Sequence, residues 1–475
     1  FCIVQIYKTC FVEGLIVVLE VRDYRNKRKN KLKYLTLLLI FIGALGFTNA
    51  SMAKSLPATK AERVGMSAER LDRITQMSQQ YVDEGKVAGL ITMVARDGKL
   101  VHFEAVGNKG TDDPRPLEKD DLFRIYSMTK PITATAAMQL YEQGKFHMND
   151  PVHKFIPEFK DLTVLNERGE QVPVRNHMTM QQLLSHTTGL SYGFDPQNDP
   201  VDKLYVEANL WEHEDLDAFT KAVSKLPLKF EPGSAWHYSI AVDVTGAVVE
   251  RISGQSFEEY LKEQIFDPLG MDDTFFQVPA DKKARFLPNH YWDSQNNKLL
   301  AMDTELLVRT GALLPGASEK SAMFNFDQVS LYSGGGGLIS TAMDYLKFAE
   351  MMRNGGELGG VRILGEKTVK YMAKNHLTAS ITASGTGESP VSILGERDLG
   401  AGFGLGFGVV ADTVKTGVLG SNGEFSWGGA AGTVFWIDPV EEMVVVGMIQ
   451  LMGSPWNLRS DLKVAAYQAI TESYE

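Results

Sequence analysis

The chain has 475 residues, of which 44% are hydrophobic and 23% charged, so it can build a core large enough for two globular domains. Its two cysteines, Cys2 and Cys10, lie close to the amino terminus, which excludes disulfides, thiol nucleophiles and cysteine-bound metals from the rest of the chain. Residues 1–53 hold eight of the 48 basic and three of the 59 acidic side chains, and the acidic remainder, with 40 against 56, argues against binding to nucleic acid.

The segment 1–53 has the organisation of a secretory leader. A lysine- and arginine-rich stretch at 27–33 precedes an apolar run at 34–47, and small residues suited to cleavage follow at 48–53. We therefore expect a signal peptide and a periplasmic or secreted protein; an uncleaved membrane anchor is the alternative, although about 14 apolar residues are short for a span. Because no methionine precedes Met52, we expect residues 1–26 to be translated upstream of the true start.

The next elements follow from hydrophobic periodicity. Apolar residues recur every three or four positions from 67 to 85, which predicts a helix. Two apolar runs within 87–106 flank the pair Asp97 and Gly98, which predicts a β-hairpin with a two-residue turn. A second helix should occupy 127–144, with Pro131 in its first turn, since proline breaks a helix at any later position.

The middle and the end of the chain differ in pattern. From about 145 to 335 we expect helices and polar loops, with capping boxes opening helices at 179 and 256. After 335 we expect a helix capped by Thr341, a final helix at 458–473 and four strands between them, at 404–410, 423–427, 433–437 and 443–450. This order predicts an α/β fold: an antiparallel sheet flanked by helices, built from 54–140 and 335–475, with an all-helical domain inserted at 141–334.

A serine followed three positions later by a lysine suggests a nucleophile and its base. The two side chains project from one face of a helix, and a neutral lysine can take the serine proton. The spacing occurs three times, at Ser51/Lys54, Ser127/Lys130 and Ser460/Lys463. The first pair falls at the expected cleavage site and the last is expected on the surface of the final helix. Ser127 and Lys130 are therefore the candidates, with a capping serine and a solvated lysine as the ordinary alternative.

Other patterns compete with this pair. Residues 189–193 spell Gly-x-Ser-x-Gly around Ser191, but a nucleophile elbow needs a preceding strand, and here we expect a helix. His186 is expected to cap that helix rather than to serve a serine. The nine histidines show no ligand spacing, so we expect no metal and no cofactor. The glycine cluster at 334–337 lacks the lysine of a phosphate-binding loop.

Several further motifs occur in one order along the chain: FRIY and SMTK at 123–130, LSHTTGL at 184–190, PGSAWHYS at 232–239, GGGLIST at 335–341 and WGG at 427–429. Together they resemble the class C β-lactamase and penicillin-binding-protein-like serine hydrolases, and within that superfamily the family VIII carboxylesterases. The resemblance covers about 65–472 and implies the β-lactamase/transpeptidase-like fold.

The resemblance also implies roles for individual residues. Ser127 would be the acylated nucleophile, Lys130 its proton partner and Tyr238 a proton relay. The backbone N–H groups of Ser127 and Ala430 would form the oxyanion hole. The positive end of the helix beginning near Ser127 disfavours a charged lysine and favours the developing oxyanion.

Two departures from the superfamily pattern bear on the substrate. Trp427, Gly428 and Gly429 stand where a lysine-threonine-glycine motif normally binds the substrate's carboxylate, and Ile240 replaces an asparagine. The literal Lys-Thr-Gly at 415–417 is expected to be a decoy in a turn. An apolar wall without a cation favours small neutral esters. A β-lactamase, a D-amino-acid peptidase and a non-turnover penicillin-recognising protein are the alternatives, and the sequence does not indicate the oligomeric state.

Overall fold

The structure, a computed structural model, describes residues 4–11, 14–21, 56–166, 168–302, 326, 328–378, 381 and 400–475. The chain divides into two compact units, Phe1–Asn49 and Ala50–Glu475. In the first unit, strands β1 (Val4–Phe11) and β2 (Gly14–Val21) form an antiparallel hairpin. The expected signal peptide lies outside the described residues. Within the described ranges, every helix is too short or too polar to cross a membrane.

Within its described residues, the second unit mixes strands and helices. Its strands are β3 (Gly89–Arg96), β4 (Lys99–Gly107), β5 (Phe123–Arg124), β6 (Thr163–Leu165), β7 (Gln171–Pro173), β8 (His290–Asp293), β9 (Lys298–Ala301), β10 (Ile339–Ser340), β11 (Glu357–Leu358), β12 (Val361–Arg362), β13 (Ala401–Phe403), β14 (Gly408–Val410), β15 (Phe425–Gly428), β16 (Val434–Asp438), β17 (Met443–Met448) and β18 (Leu451–Met452). Its α-helices are α1 (Ala68–Asp83), α2 (Thr129–Glu142), α3 (Met180–Leu184), α4 (Pro200–Glu207), α5 (Leu216–Val223), α6 (Ala241–Ser253), α7 (Phe257–Leu261), α8 (Asp267–Leu269), α9 (Ala342–Arg353), α10 (Glu366–Met372), α11 (Thr413–Thr416) and α12 (Leu458–Tyr467).

Among the described residues, seven strands form the central sheet, in the order β13-β14-β15-β16-β17-β3-β4, with antiparallel pairing throughout. Two of the strands come from the beginning of the unit and five from its end, which confirms the predicted fold class. The β3–β4 hairpin turns at Asp97 and Gly98, both with positive φ, 53° and 69°. Such a turn matches the twist of the flanking strands.

Helices cover both faces of the sheet. On one face α1 and α12 pack onto β3, β16 and β17 through a cluster that includes Leu71, Val94, Trp436 and Leu462. On the other face α2, α9 and most of the inserted segment share one continuous hydrophobic cluster with the sheet. The insertion therefore packs into the same core as the sheet.

The sequence predicts an all-helical insertion, and this prediction is wrong, because the segment also contains strands. Strands β6 and β7 pair as a short hairpin, and β8 and β9 form another that extends in parallel onto β18. The polar stretch at 192–215, which its composition indicates as a loop, contains α4. The Asp199 side chain caps this helix, and Pro200 occupies its first position. The single strand expected at 404–410 is replaced by β13 and β14, which pair around the turn between them.

Candidate active site

Ser127 lies in a turn of 3-10 helix, Tyr126–Met128, that leads directly into α2. Tyr126 has a φ of +43°, in the left-handed region that is unfavourable for residues other than glycine. Asn289 Nδ2 donates to the Tyr126 hydroxyl at 2.6 Å and so anchors the strained residue. Ser127 is partly exposed although both of its neighbours are buried. The turn therefore presents this hydroxyl at the surface of a tightly packed segment.

Lys130 reaches back from the first turn of α2 to the serine. Its Nζ lies 3.2 Å from Ser127 Oγ, 2.9 Å from the Tyr192 hydroxyl and 2.7 Å from the Gly335 carbonyl oxygen. The lysine is completely buried. Pro131 occupies the third position of α2, inside the first turn as predicted. The three N–H bonds of an ammonium group have three acceptors here, which fixes the nitrogen beside the serine.

Tyr238 approaches the serine from the segment before α6. Its hydroxyl oxygen lies 2.6 Å from Ser127 Oγ, and Lys130 Nζ lies 4.5 Å from the centre of its ring. The Tyr238 hydroxyl donates this hydrogen bond, and Ser127 Oγ accepts it. The structure thus brings both Lys130 and Tyr238 within hydrogen-bonding distance of Ser127, as the sequence had predicted for these three residues.

Sequence reasoning missed two further members of this site, Tyr192 and Asp243. The Tyr192 hydroxyl donates to Asp243 Oδ2 at 3.2 Å while accepting from Lys130. Burial, reinforced by the Asp243 carboxylate, raises the pKa of Tyr192 well above its ordinary value, so this phenol keeps its proton. Tyr192 follows Ser191 in the Gly-x-Ser-x-Gly pattern at 189–193, and that pattern indicates only the serine as a candidate.

The end of β15 lies against the backbone that precedes Ser127. A Cβ atom on Gly429 would come within 2.4 Å of the Ile125 carbonyl oxygen and 2.3 Å of Thr433 Oγ1. Only glycine permits this approach, because no larger residue fits the gap. Ala430 comes next and is exposed. The backbone expected to complete the oxyanion hole is thus placed close to the nucleophile turn.

Trp427 lies in the core, although the sequence predicts that it forms a wall of the substrate pocket. Its side chain is 1% exposed, and its ring lies between Tyr238, at 5.5 Å, and Phe403, at 5.2 Å between ring centres. It supports Tyr238 from within the core and offers no open face, contrary to expectation. Phe194 is 45% exposed instead, with its ring nearly parallel to that of Tyr238 at 6.5 Å.

Ser191 belongs to a separate buried cluster. It is 0% exposed and donates to Asp202 Oδ1 at 2.5 Å, while the Gly193 N–H donates to its Oγ at 3.0 Å. His237 Nε2 lies 3.3 Å from the same oxygen, and Lys229 donates to Asp202 at 2.9 Å. The segment follows α3 rather than a strand, so it is not a nucleophile elbow, and its hydroxyl has no access to a substrate.

The remaining candidates are placed as follows. Lys415 lies on the short helix α11, exposed and paired with Asp412. Lys463 was expected at the surface and is instead buried in an ion pair with Glu424 at 2.6 Å. His186 is buried just beyond α3, and burial lowers its pKa well below the ordinary value. Among the residues that the structure describes, no group of three His, Cys, Asp or Glu is placed to hold a metal.

The fold is that of the serine hydrolases of β-lactamase type. The solved structure of EstCE1, described as a hydrolase with promiscuous acyltransferase activity, has a TM-score of 0.69 and 26% identity, covering 84% of this chain and 99% of EstCE1. The Beta-lactamase family matches residues 74–470, and the chain belongs to that family.

Two curated relatives are esterases by name. Esterase EstB of Burkholderia gladioli is 31% identical over 378 residues, which cover 78% of this chain and 87% of EstB. Lovastatin esterase of Penicillium rubens is 28% identical over 421 residues, covering 83% of this chain and 97% of that enzyme. The protein is therefore an enzyme, a serine hydrolase.

Proposed function

We propose that this protein hydrolyses carboxylic esters through an acyl-enzyme intermediate on Ser127. The observation that carries the proposal is the partly exposed Ser127 hydroxyl with Tyr238 at 2.6 Å and Lys130 at 3.2 Å. A serine hydroxyl becomes an effective nucleophile when a neighbouring group takes its proton, and both neighbours lie at the required distance. The esterase relatives support the same chemistry.

The acylation step requires the Tyr238–Lys130 pair to hold one proton fewer than a phenol and an ammonium together. Ser127 Oγ then attacks the carbonyl carbon of the ester and gives its proton to that pair. The carbonyl electron pair moves onto oxygen, where the N–H groups of Ser127 and Ala430 would stabilise the negative charge. When the carbon–alkoxide bond breaks, the pair returns the proton to the leaving alkoxide. The products are an alcohol and an acyl-Ser127.

Deacylation runs the same steps with water. A water molecule attacks the acyl carbon and passes one proton to the tyrosine and lysine, and that proton returns to Ser127 Oγ as the acid leaves. Tyr238 has the shorter contact with Ser127, which favours it as the group that handles the proton directly, with Lys130 fixing the electrostatics around it. The serine is regenerated and no cofactor is consumed.

The site favours neutral substrates. Trp427 occupies the motif position at which the superfamily's lysine binds a carboxylate, and Phe194 gives the mouth of the site an aromatic surface. Arg459 donates to the Trp427 carbonyl at 2.6 Å and is buried, so its guanidinium is engaged within the protein. An apolar acyl group gains free energy from such a surface, whereas a carboxylate finds no compensating charge there.

A substrate panel tests the proposal. We expect turnover of p-nitrophenyl acetate and butyrate to exceed that of nitrocefin and of D-alanyl-D-alanine peptides. Faster hydrolysis of nitrocefin would indicate a β-lactamase, and faster release of D-alanine a peptidase. Stoichiometric acylation without release of product would indicate a penicillin-recognising protein. Any of these three results would contradict the proposal.

We also propose that the enzyme is exported, because the basic and apolar stretches within 27–53 have the order of a signal peptide. Expression of the full chain in a bacterial host, followed by fractionation and amino-terminal sequencing, tests this. A periplasmic or secreted protein beginning between 49 and 55 is expected. A membrane-bound protein that retains the apolar segment would contradict it.

A further inference from the structure

We infer that Asp243 is a positioning residue of the proposed esterase: it holds Tyr192 and the turn at Gly335 around the Lys130 amine. The inference rests on the proposed function and concerns how the lysine is kept beside Ser127. Asp243 lies in the first turn of α6 and is buried, and its hydrogen bonds run to Tyr192, Ser333 and Gly335.

The Asp243 carboxylate is almost completely buried and has donors on both oxygens. Oδ1 accepts from the Gly335 N–H at 2.9 Å and from the Ser333 hydroxyl, and Oδ2 accepts from the Tyr192 hydroxyl at 3.2 Å. A buried carboxylate is costly unless such donors compensate for the lost water. Burial raises the pKa of Asp243, and the Lys130 charge opposes that shift.

The two groups that Asp243 holds are the two that bind Lys130 besides the serine. Lys130 donates to the Gly335 carbonyl at 2.7 Å and to the Tyr192 hydroxyl at 2.9 Å. Both acceptors are therefore attached to one carboxylate, through the backbone of Gly335 and the phenol of Tyr192. Displacing that carboxylate would release both contacts together and let the amine move away from Ser127.

The glycine cluster fits this arrangement closely. A Cβ atom on Gly335 would come within 2.3 Å of Asp243 Oδ2 and 2.6 Å of the Tyr192 hydroxyl oxygen. On Gly334 it would come within 2.7 Å of the Val242 carbonyl oxygen, on the helix that carries Asp243. The turn thus needs glycine because it packs directly onto α6 and the carboxylate.

The substitution Asp243→Asn tests the inference with little change in volume. The amide would turn an N–H toward Tyr192, whose hydroxyl would then point at the Lys130 amine instead of accepting from it. We expect kcat for p-nitrophenyl butyrate to fall about 10²-fold, with KM changed by no more than about threefold, because a misplaced catalytic group costs chemistry rather than binding.

A matched control is Asp202→Asn, which alters an equally buried carboxylate in the Ser191 cluster. That variant should lower the melting temperature while its kcat stays within about threefold of wild type. If Asp243→Asn also loses stability but keeps kcat, the carboxylate is only structural and the inference is overturned.

Tyr192→Phe keeps the inference testable if Asp243→Asn fails to fold. It removes one hydroxyl, and we expect kcat to fall at least about tenfold. Substitutions of residues that act as a unit do not have additive effects. The kcat of the double variant Asp243→Asn/Tyr192→Phe should therefore be only slightly lower than that of the less active single variant. Wild-type kcat in Tyr192→Phe, or additive losses in the double variant, would overturn the inference. Ser127→Ala measured alongside separates the two proposals, since full activity there would contradict the esterase mechanism itself.

Discussion

Two serines of this protein, Ser127 and Ser191, each lie among polar partners, yet only one is arranged for catalysis. Ser127 is partly exposed, and its partners are an amine and a phenol that can exchange a proton with it. Ser191 is fully buried, and Asp202, Gly193 and His237 surround its oxygen. Residue types and sequence spacing are thus insufficient to identify a nucleophile, because a nucleophile also needs access to a substrate.

Removing each hydroxyl in turn tests whether the two serines differ in this way. Ser127→Ala should lower kcat/KM for p-nitrophenyl acetate by at least about 10⁴-fold, because no covalent intermediate can form. Ser191→Ala should keep kcat within about threefold and instead reduce the free energy of unfolding by about 1–3 kcal/mol, since Asp202 loses a buried donor. Steady-state kinetics and urea unfolding measure both, and the reverse pattern would reject the assignment.

The proton-handling phenol gives the next largest effect. Tyr238→Phe should reduce kcat by about 10²–10⁴-fold, the usual contribution of a positioned acid–base group, without loss of stability. Tyr205→Phe, which changes a buried tyrosine of α4 outside the catalytic cluster, is the matched control and should leave kcat unchanged. Equal activity of the two variants would show that the 2.6 Å contact has no role in turnover.

The Ser191 cluster should also respond to pH through His237. Burial, with a smaller contribution from Lys229, lowers the pKa of His237 to about 4. Since the unfolded histidine titrates near 6.5, the unfolded state binds the proton first, and stability present above pH 6.5 falls as the pH drops toward 4. The slope should reach about 1.4 kcal/mol per pH unit for this residue.

His102, also buried with a pKa lowered to about 4, adds to the same slope, so the test needs variants. The free energy of unfolding would be measured in urea between pH 4 and 7. Its slope against pH should decrease in His237→Gln by the contribution of one proton, whereas the exposed control His147→Gln should keep the wild-type slope. An unchanged slope in His237→Gln would contradict the burial argument.

The smallest expected effect concerns the mouth of the Ser127 site. Phe194→Ala should lower kcat/KM for p-nitrophenyl butyrate relative to acetate by up to about tenfold, because the longer acyl chain loses apolar contact. Val414→Ala removes an exposed apolar side chain on α11 and should leave the ratio unchanged. If Phe194→Ala leaves the butyrate-to-acetate ratio of kcat/KM unchanged, the acyl chain does not contact Phe194.

Local signals in the sequence were sufficient for many elements. Both capping boxes form, with Gln182 and Glu259 reaching back to their cap residues, because each depends on four consecutive positions. The β3–β4 hairpin and the placement of Lys130 one turn from Ser127 follow for the same reason. Such contacts are set by backbone geometry alone.

Other features depend on tertiary packing. Asp243 meets Tyr192 and Gly335 across separations of 51 and 92 residues, so no spacing rule could connect them. Trp427 is covered by Phe403 and Tyr238, which come from other segments. The buried charge of Lys463 is compensated by Glu424, which directly precedes β15.

Covalent labelling distinguishes the two serines most directly. The intact enzyme would be treated with a fluorophosphonate, digested with trypsin and analysed by mass spectrometry. Because trypsin does not cleave before proline, Ser127 falls in the peptide 125–145 as its single serine, whereas Ser191 falls in 176–203. We predict one stoichiometric adduct on Ser127 within 125–145. An adduct on 176–203, or on any other serine with Ser127 unmodified, would contradict the account.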